Sequence, residues 1–208
     1  MSNPSEQFSA SKLWFNPDLA QKQFRGAIFA DRDGTLIEHI PYLGDPAKVA
    51  LLPGIKKAVE KLLRQGIAFF VFTNQSGVER GYYPLSEVHA CNQRMLNLLE
   101  LEPQHLAGIC IATGLPGSPD SYRKPSPLFI QQALAMTSLP QTSAFMIGDS
   151  MVDLETANNA GIHAWLVGNG KPEAVKAHQE GQINLSYTFA KDFPESIDLI
   201  LDTFTSGQ

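Results

Sequence analysis

Cysteine is scarce in this chain: Cys91 and Cys110 are the only two among 208 residues. Two are too few for a disulfide framework or a cysteine-based zinc site, so both read as core residues. Long apolar runs are missing as well. No stretch of eighteen hydrophobic residues is present to cross a bilayer, and the opening MSNPSEQFSA has no basic stretch followed by an apolar segment of the secretory kind. Lysine and arginine are few and scattered, 16 against 21 acidic residues for a net charge of −5, so no basic patch is available to neutralise a nucleic-acid backbone. The expectation is a cytoplasmic chain with neither nucleic acid nor membrane as partner. A small anionic ligand, which needs only one or two well-placed cations, stays open.

With 43% hydrophobic and 18% charged residues, the chain has enough apolar surface for the core of one domain. From residue 26 onward strand-like runs alternate with helix-like periodic runs, the pattern of a parallel sheet flanked by helices. GAIFA (26–30), IAFFVF (67–72), GICIA (108–112), SAFMI (143–147) and IHAWLV (162–167) read as five strands. Residues 55–65 put Ile55, Ala58, Val59, Leu62 and Leu63 on one helical face, between Pro53 and Gly66. Ser86 is placed to cap a helix to about Glu100 that buries Val88, Cys91, Met95 and Leu98 or Leu99. Ser126-Pro127 opens another helix, residues 151–160 look helical up to Gly161, and helices near 172–180 and 194–204 close the fold. Residues 1–25 fit no sheet element and read as an N-terminal arm on a domain spanning 26–208. Phe8, Leu13, Trp14 and Phe15 imply that the arm packs against something.

In an open parallel sheet ligands bind outside the carboxyl ends of the strands, so the residues directly after each strand are informative. The first strand, IFADRDGTL, delivers Asp31 and Asp33; the second ends in Thr73-Asn74-Gln75-Ser76-Gly77. The third leads to Arg123-Lys124-Pro125, and the fourth to Gly148-Asp149-Ser150 with Asp153 four residues past Asp149. Each has a plain structural alternative: Asp33-Gly34 as a hairpin turn, Thr73-Asn74 as a strand end, Arg123-Lys124-Pro125 as a solvated loop, Asp149 as a helix cap. Four in succession point to one rim instead. Carboxylates gathered there repel one another unless a cation sits among them, and carboxylates, a backbone carbonyl and water suit Mg²⁺ rather than zinc. With that cation and Lys124 offsetting the repulsion, Asp31 can attack phosphorus, while Asp33 protonates the leaving oxygen and later deprotonates a water. Thr73, Asn74 and nearby backbone N–H groups are candidates for the nonbridging phosphoryl oxygens. Asp149 completes the metal shell, and Asp153 ligates through water or orients Lys124.

The order DRDGTL, TNQSG, RKP and GDSMVD resembles the four motifs of the haloacid dehalogenase superfamily of aspartyl-phosphate phosphatases. Within it the chain is similar to the branch of the heptose-bisphosphate and histidinol-phosphate phosphatases, over about residues 25–205. The likeness is most specific at DRDGT, TNQSGVERG and YRKPSP. It implies an α/β Rossmann-like three-layer sandwich with a mostly parallel sheet in the order 3-2-1-4-5 and no large cap domain. It implies Asp31 as nucleophile, Asp33 as acid/base and Lys124 as charge clamp, with Mg²⁺ on Asp31, Asp149 and the Asp33 carbonyl. Arg32, Gly34, Thr73, Asn74, Gln75 and Ser76 are then phosphate or substrate contacts, and Arg123 touches the rest of the substrate. The implied activity is a Mg²⁺-dependent phosphomonoesterase acting on a small phosphate ester, foremost a sugar phosphate such as D-glycero-D-manno-heptose 1,7-bisphosphate. Histidinol phosphate, or noncatalytic binding of a phospholigand on the same fold, are the alternatives.

Two features depart from that branch. It typically carries a zinc loop of three cysteines and a histidine just before its arginine-lysine pair, whereas this chain has ATGLPGSPDSYRKP, with Cys110 and His105 earlier; no structural zinc is expected. It also often has a basic residue after the fourth-motif Gly-Asp, where Ser150 stands here. About twenty residues separate Asp33 from Gly54 and about ten separate the third strand from Arg123, too few for a folded cap, so an open site is expected. LIEHIPYLGDPAKVALLP reads as a hairpin-like flap that carries His39 and Tyr42.

Overall fold

A computed structural model describes residues 11–117, 122–168 and 171–205. Seven strands form one sheet: β1 (Leu13–Phe15), β2 (Gly26–Ala30), β3 (Ile67–Asn74), β4 (Gly108–Ala112), β5 (Ala144–Gly148), β6 (His163–Val167) and β7 (Thr188–Ala190). Their spatial order is β1-β4-β3-β2-β5-β6-β7. The central five strands, β4-β3-β2-β5-β6, are those read from the sequence, parallel and in the order 3-2-1-4-5. Among the described residues six α-helices cover the sheet: α1 (Ile55–Arg64), α2 (Leu85–Leu99), α3 (Leu128–Thr137), α4 (Met151–Ala160), α5 (Pro172–Gln179) and α6 (Phe193–Thr205). None of the described helices is long and apolar enough to cross a membrane.

Strands buried on both faces read as continuous apolar runs, and alternate residues of β2–β5 feed two separate cores. On one face Ile28, Val71, Ile109 and Ile147 pack with Val59 of α1, Met95 of α2 and Ile197 of α6. On the other, Phe29, Phe70, Phe72 and Met146 pack with Phe129 of α3 and Leu154 of α4. Phe129 sets its edge against Phe29, Phe70 and Phe72 at 5.9, 5.9 and 5.1 Å, so one ring ties α3 across two strands.

The edges of the sheet are where the sequence reading needs correction. Residues 13–15, expected to lie outside any sheet element, form β1 and pair antiparallel with β4, Leu13 opposite Cys110 and Phe15 opposite Gly108. Three residues carry no usable period, so neither β1 nor β7 is visible in the pattern. Phe15, at the end of β1, stacks on Phe129 at 5.4 Å, and beyond the strand Leu19 is fully buried. Phe8 lies outside the described residues. The cap of α2 also differs: the helix begins at Leu85 behind Pro84, and Ser86 stands inside the first turn.

Between β2 and α1 the chain makes the flap. Gly34, at φ +87°, turns it; Leu36 and Ile37 donate N–H bonds back to the Arg32 carbonyl, both at 3.0 Å. A short antiparallel base comes next, with Glu38 N–H on Ala50 O at 2.9 Å and Leu52 N–H on Leu36 O at 3.0 Å. Buried Leu36, Ile37, Leu43 and Val49 seat the flap on the core and leave Tyr42 exposed at its tip, edge-on to Tyr82 at 4.7 Å.

Candidate active site

The carboxyl ends of β2, β3 and β5, with the segment entering α3, surround a cavity of about 360 Å³. Asp31, Asp33, Thr73, Asn74, Gln75, Ser76, Arg123 and Lys124 all line it, together with Ser150 and the flap residues His39 and Tyr42. The four strand-end signals therefore do converge.

Lys124 is held by two carboxylates and one side-chain amide. Its Nζ lies 2.7 Å from Asp31 Oδ1 and 2.6 Å from Asp153 Oδ1, all three groups buried. Burial lowers the lysine pKa, but Asp153 and then Asp31 outweigh it, so the ammonium is held well above its ordinary range. Asn74 fixes the lysine backbone: its Oδ1 accepts from Lys124 N–H at 3.0 Å and its Nδ2 donates to Lys124 O at 3.2 Å. Arg123 donates to Gly114 O at 2.8 Å. Asp153 meanwhile uses its other oxygen to accept from Ser150 N–H and Oγ, at 3.2 and 2.6 Å, closing the capping box of α4. Ser150, not Asp149, therefore caps this helix.

Asp33 faces a different set of partners. Arg32 Nε and Nη2 grip its two oxygens at 3.1 Å each, while Gln75 Nε2 and Thr73 Oγ1 donate to Oδ2 at 2.8 and 3.2 Å. Two of the expected substrate contacts are placed differently from the rest. The Arg32 side chain is fully buried, bonded to Asp33 and to Asn92 Oδ1 at 2.7 Å, and is not on the cavity wall. Gly34 also stands off the wall: its N–H is spent on Ile37 O at 2.8 Å. Its place is set by packing, because a Cβ there would overlap the Asp149 carboxylate.

Asp149 is fully buried, and neither of its carboxylate oxygens has a hydrogen-bond partner among the described residues. Such an orphaned pair is costly unless a cation or proton meets it. Burial, then Asp31 and Asp153, push its pKa up to about 8, while burial pushes Asp31 to about 6 against the pull of Lys124. One ligand oxygen each from Asp31, Asp149 and Asp153 lie within 4.8 Å of one another, so the donor set fits a hard divalent cation. The Asp33 carboxylate is not in that cluster, being turned toward Arg32, Gln75 and Thr73. The zinc-loop question falls partly on residues 118–121, outside the described residues; Cys110 is buried in β4 and His105 Nδ1 accepts from Glu102 N–H.

Sequence reasoning missed two wall residues, Tyr83 and Lys171. Tyr83 sits in GYYP, with nothing to separate it from an ordinary loop aromatic. Lys171 stands just before α5, after β6, the one central strand end not searched for chemistry.

A sheet of this order with an acid-bearing turn after β2, a lysine bridging two carboxylates and an orphaned carboxylate after β5 defines a haloacid dehalogenase-like hydrolase. The HAD-hydrolase-like family model matches residues 121–196. The chain is 35% identical over 152 residues to a D-glycero-β-D-manno-heptose-1,7-bisphosphate 7-phosphatase from Mesorhizobium japonicum, covering 68% of this chain and 69% of that one. It is 34% identical to the enzyme of that name from Rhodopseudomonas palustris, over 66% of this chain and 81% of the relative. The fold matches, with a TM-score of 0.73 and 24% identity, the crystal structure of D,D-heptose 1,7-bisphosphate phosphatase from B. bronchiseptica complexed with magnesium and phosphate, covering 86% of this chain and 99% of that one. The chain belongs to the haloacid dehalogenase-like hydrolases, in the family of these heptose-bisphosphate phosphatases, and is a phosphatase.

Proposed function

We propose that the protein removes one phosphate from a sugar bisphosphate, D-glycero-D-manno-heptose 1,7-bisphosphate first among candidates, through an aspartyl-phosphate on Asp31. The observation that carries this reading is the buried Asp31–Lys124–Asp153 triad beside the orphaned carboxylate of Asp149. Asp31, Asp149 and the Asp33 carbonyl would hold Mg²⁺, which supplies the positive charge that lets a phosphate dianion approach a carboxylate.

An Asp31 oxygen attacks phosphorus and the bond to the sugar oxygen breaks. Asp33 gives its proton to that oxygen, so the sugar leaves as a neutral alcohol. Asp33 then takes a proton from water, the resulting hydroxide attacks the phosphorus, and the bond to Asp31 breaks to release inorganic phosphate. Lys124 holds Asp31 in position throughout and faces the charge that develops on the phosphoryl oxygens. Thr73 and Ser76 line the same wall as Asp31 and are assigned to the transferring phosphate, beside Asn74 and Gln75, whose side-chain amides are bonded to the Lys124 backbone and to Asp33. Arg123 and Lys171 also line the wall, and their two positive charges favour a substrate with a second anionic group. A cytoplasmic location suits such a metabolite.

The test is phosphate release from a panel holding the heptose bisphosphate, sugar monophosphates and histidinol phosphate, with Mg²⁺ and with EDTA. The reading requires the bisphosphate to have the highest kcat/KM, activity to vanish on chelation, and Asp31→Asn to be inactive on every substrate. Turnover by Asp31→Asn removes the mechanism.

A further inference from the structure

The cavity has walls of two kinds. The strand ends supply carboxylates, hydroxyls, amides and Lys124, whereas the flap supplies Ile40, Pro41, Tyr42 and Leu43 beside His39. A phosphate bound over the strand ends leaves the rest of its ester to meet a mostly apolar strip. Such a strip attracts a carbon skeleton rather than a second charged group.

Tyr42 is the most open part of that strip. Tyr82 and Tyr42 are the two most exposed large apolar side chains among the described residues, at 58% and 51%. Their rings meet with centroids 4.7 Å apart and planes 88° apart. A T-shaped contact of this kind occupies at most one face of either ring, so a face of Tyr42 remains available. The backbone gives an independent sign. Tyr42 has φ +53°, in the left-handed region that disfavours a bulky side chain and suits glycine or asparagine. Ring-restricted Pro41 before it and buried Leu43 after it hold the chain on both sides. The strained turn thus keeps one large ring at the cavity mouth, on the wall and exposed at once.

A sugar suits this place. Its ring carries hydroxyls around the rim and C–H groups on its faces, so it can lie on an aromatic face while the rim stays in water. We propose that Tyr42 is a specificity-determining residue whose ring packs on the C–H face of the substrate's sugar while the phosphate lies over Asp31. The proposal rests on the reading of the protein as a sugar phosphatase.

The experiment measures kcat and KM of wild type, Tyr42→Gly and Tyr42→Phe, with Mg²⁺ and with thermal melts of each. The substrates are the heptose bisphosphate, hexose phosphates and acetyl phosphate, which has no ring to place on a tyrosine. Glycine tolerates the left-handed turn, so Tyr42→Gly is expected to melt within a few degrees of wild type. On the best sugar ester it should lose about tenfold in kcat/KM, nearly all of it in KM, and less than about twofold on acetyl phosphate, the pattern of lost binding rather than lost chemistry. Tyr42→Phe keeps the aromatic face and should stay within about twofold of wild type on every substrate. Losses by Tyr42→Gly that are equal on sugar esters and acetyl phosphate, or absent from both, overturn the role of Tyr42 and leave the sugar phosphatase reading intact. A Tyr42→Phe variant as poor as Tyr42→Gly also overturns it, by moving the effect to the hydroxyl. A selective loss on sugars with a hexose phosphate outranking the heptose bisphosphate keeps the role of Tyr42 and removes the heptose assignment. A wild type that turns over no sugar ester removes both.

Discussion

Asp153 holds the Lys124 ammonium at 2.6 Å with one oxygen while the other caps α4 through Ser150. A single side chain thus joins the helix after β5 to the lysine from the segment before α3. Asp153→Ala removes a buried charge partner and a cap together. The expected cost is about 3 kcal/mol, at the low end for a broken buried pair because Asp31 remains beside the lysine. Urea unfolding measures it, and a loss below about 1 kcal/mol would show that Asp31 alone holds the lysine.

Gly34 lies against the Asp149 carboxylate at φ +87°. Gly34→Ala meets both a disfavoured backbone region and a collision with the carboxylate, so a loss of roughly 1–3 kcal/mol is expected. Because Asp149 must move, Mg²⁺ affinity by calorimetry should weaken in parallel. Unchanged affinity would separate Asp149 from the cation.

Without a cation the acidic cluster makes stability depend on pH in a defined direction. Asp149 is raised from 3.8 to about 8 and Asp31 to about 6, so between those limits the folded state binds protons that the unfolded state has released. Their contribution is full below about pH 4 and is lost as pH rises to about 8, with a steepest slope of about 1.4 kcal/mol per pH unit per proton. A divalent cation bound by Asp149, as proposed above, would replace that proton. The Tm difference between Mg²⁺ and EDTA should therefore grow from pH 5.5 to 8.5, and this difference cancels groups the cation does not touch. A difference that stays constant would mean Asp149 is already ionised in the apo protein.

Asn74 binds both the N–H and the carbonyl of Lys124. Asn74→Asp keeps the first bond and turns the second into a carboxylate facing a carbonyl. Its kcat should fall below that of Asn74→Ala, in which the backbone is released but not repelled. The reverse order in steady-state kinetics would argue against the clamp.

Leu19 belongs to the segment that the sequence alone presents as an arm, and it is fully buried against α3 and the sheet. Leu19→Ala should cost about 2–5 kcal/mol, as in a conventional core. Activity per folded molecule should be unchanged, since Leu19 is absent from the cavity wall. A cost under about 1 kcal/mol would make the segment an appendage after all.

The five central strands and their order were legible because strands buried on both faces leave uninterrupted apolar runs, and acidic, amide and basic residues stop those runs at one end. Asp31, Asp33, Lys124 and Asp149 could be named from that punctuation alone. The three-residue edge strands could not, since pairing with β4 or β6 needs no local period. Partner choice was equally hidden. Sequence places Arg32 beside two aspartates, as though it faced substrate, but only the fold turns it inward to grip Asp33 and Asn92. Likewise Asp149 looks like a helix cap until Ser150, paired with Asp153, is seen to fill that role. Residue types along a strand end are set by chain order. Which buried oxygen is satisfied, and which is left for a cation or a proton, is decided by side chains that only the fold brings together, as Gln75 meets Asp33 across 42 residues of chain and Lys124 meets Asp153 across 29.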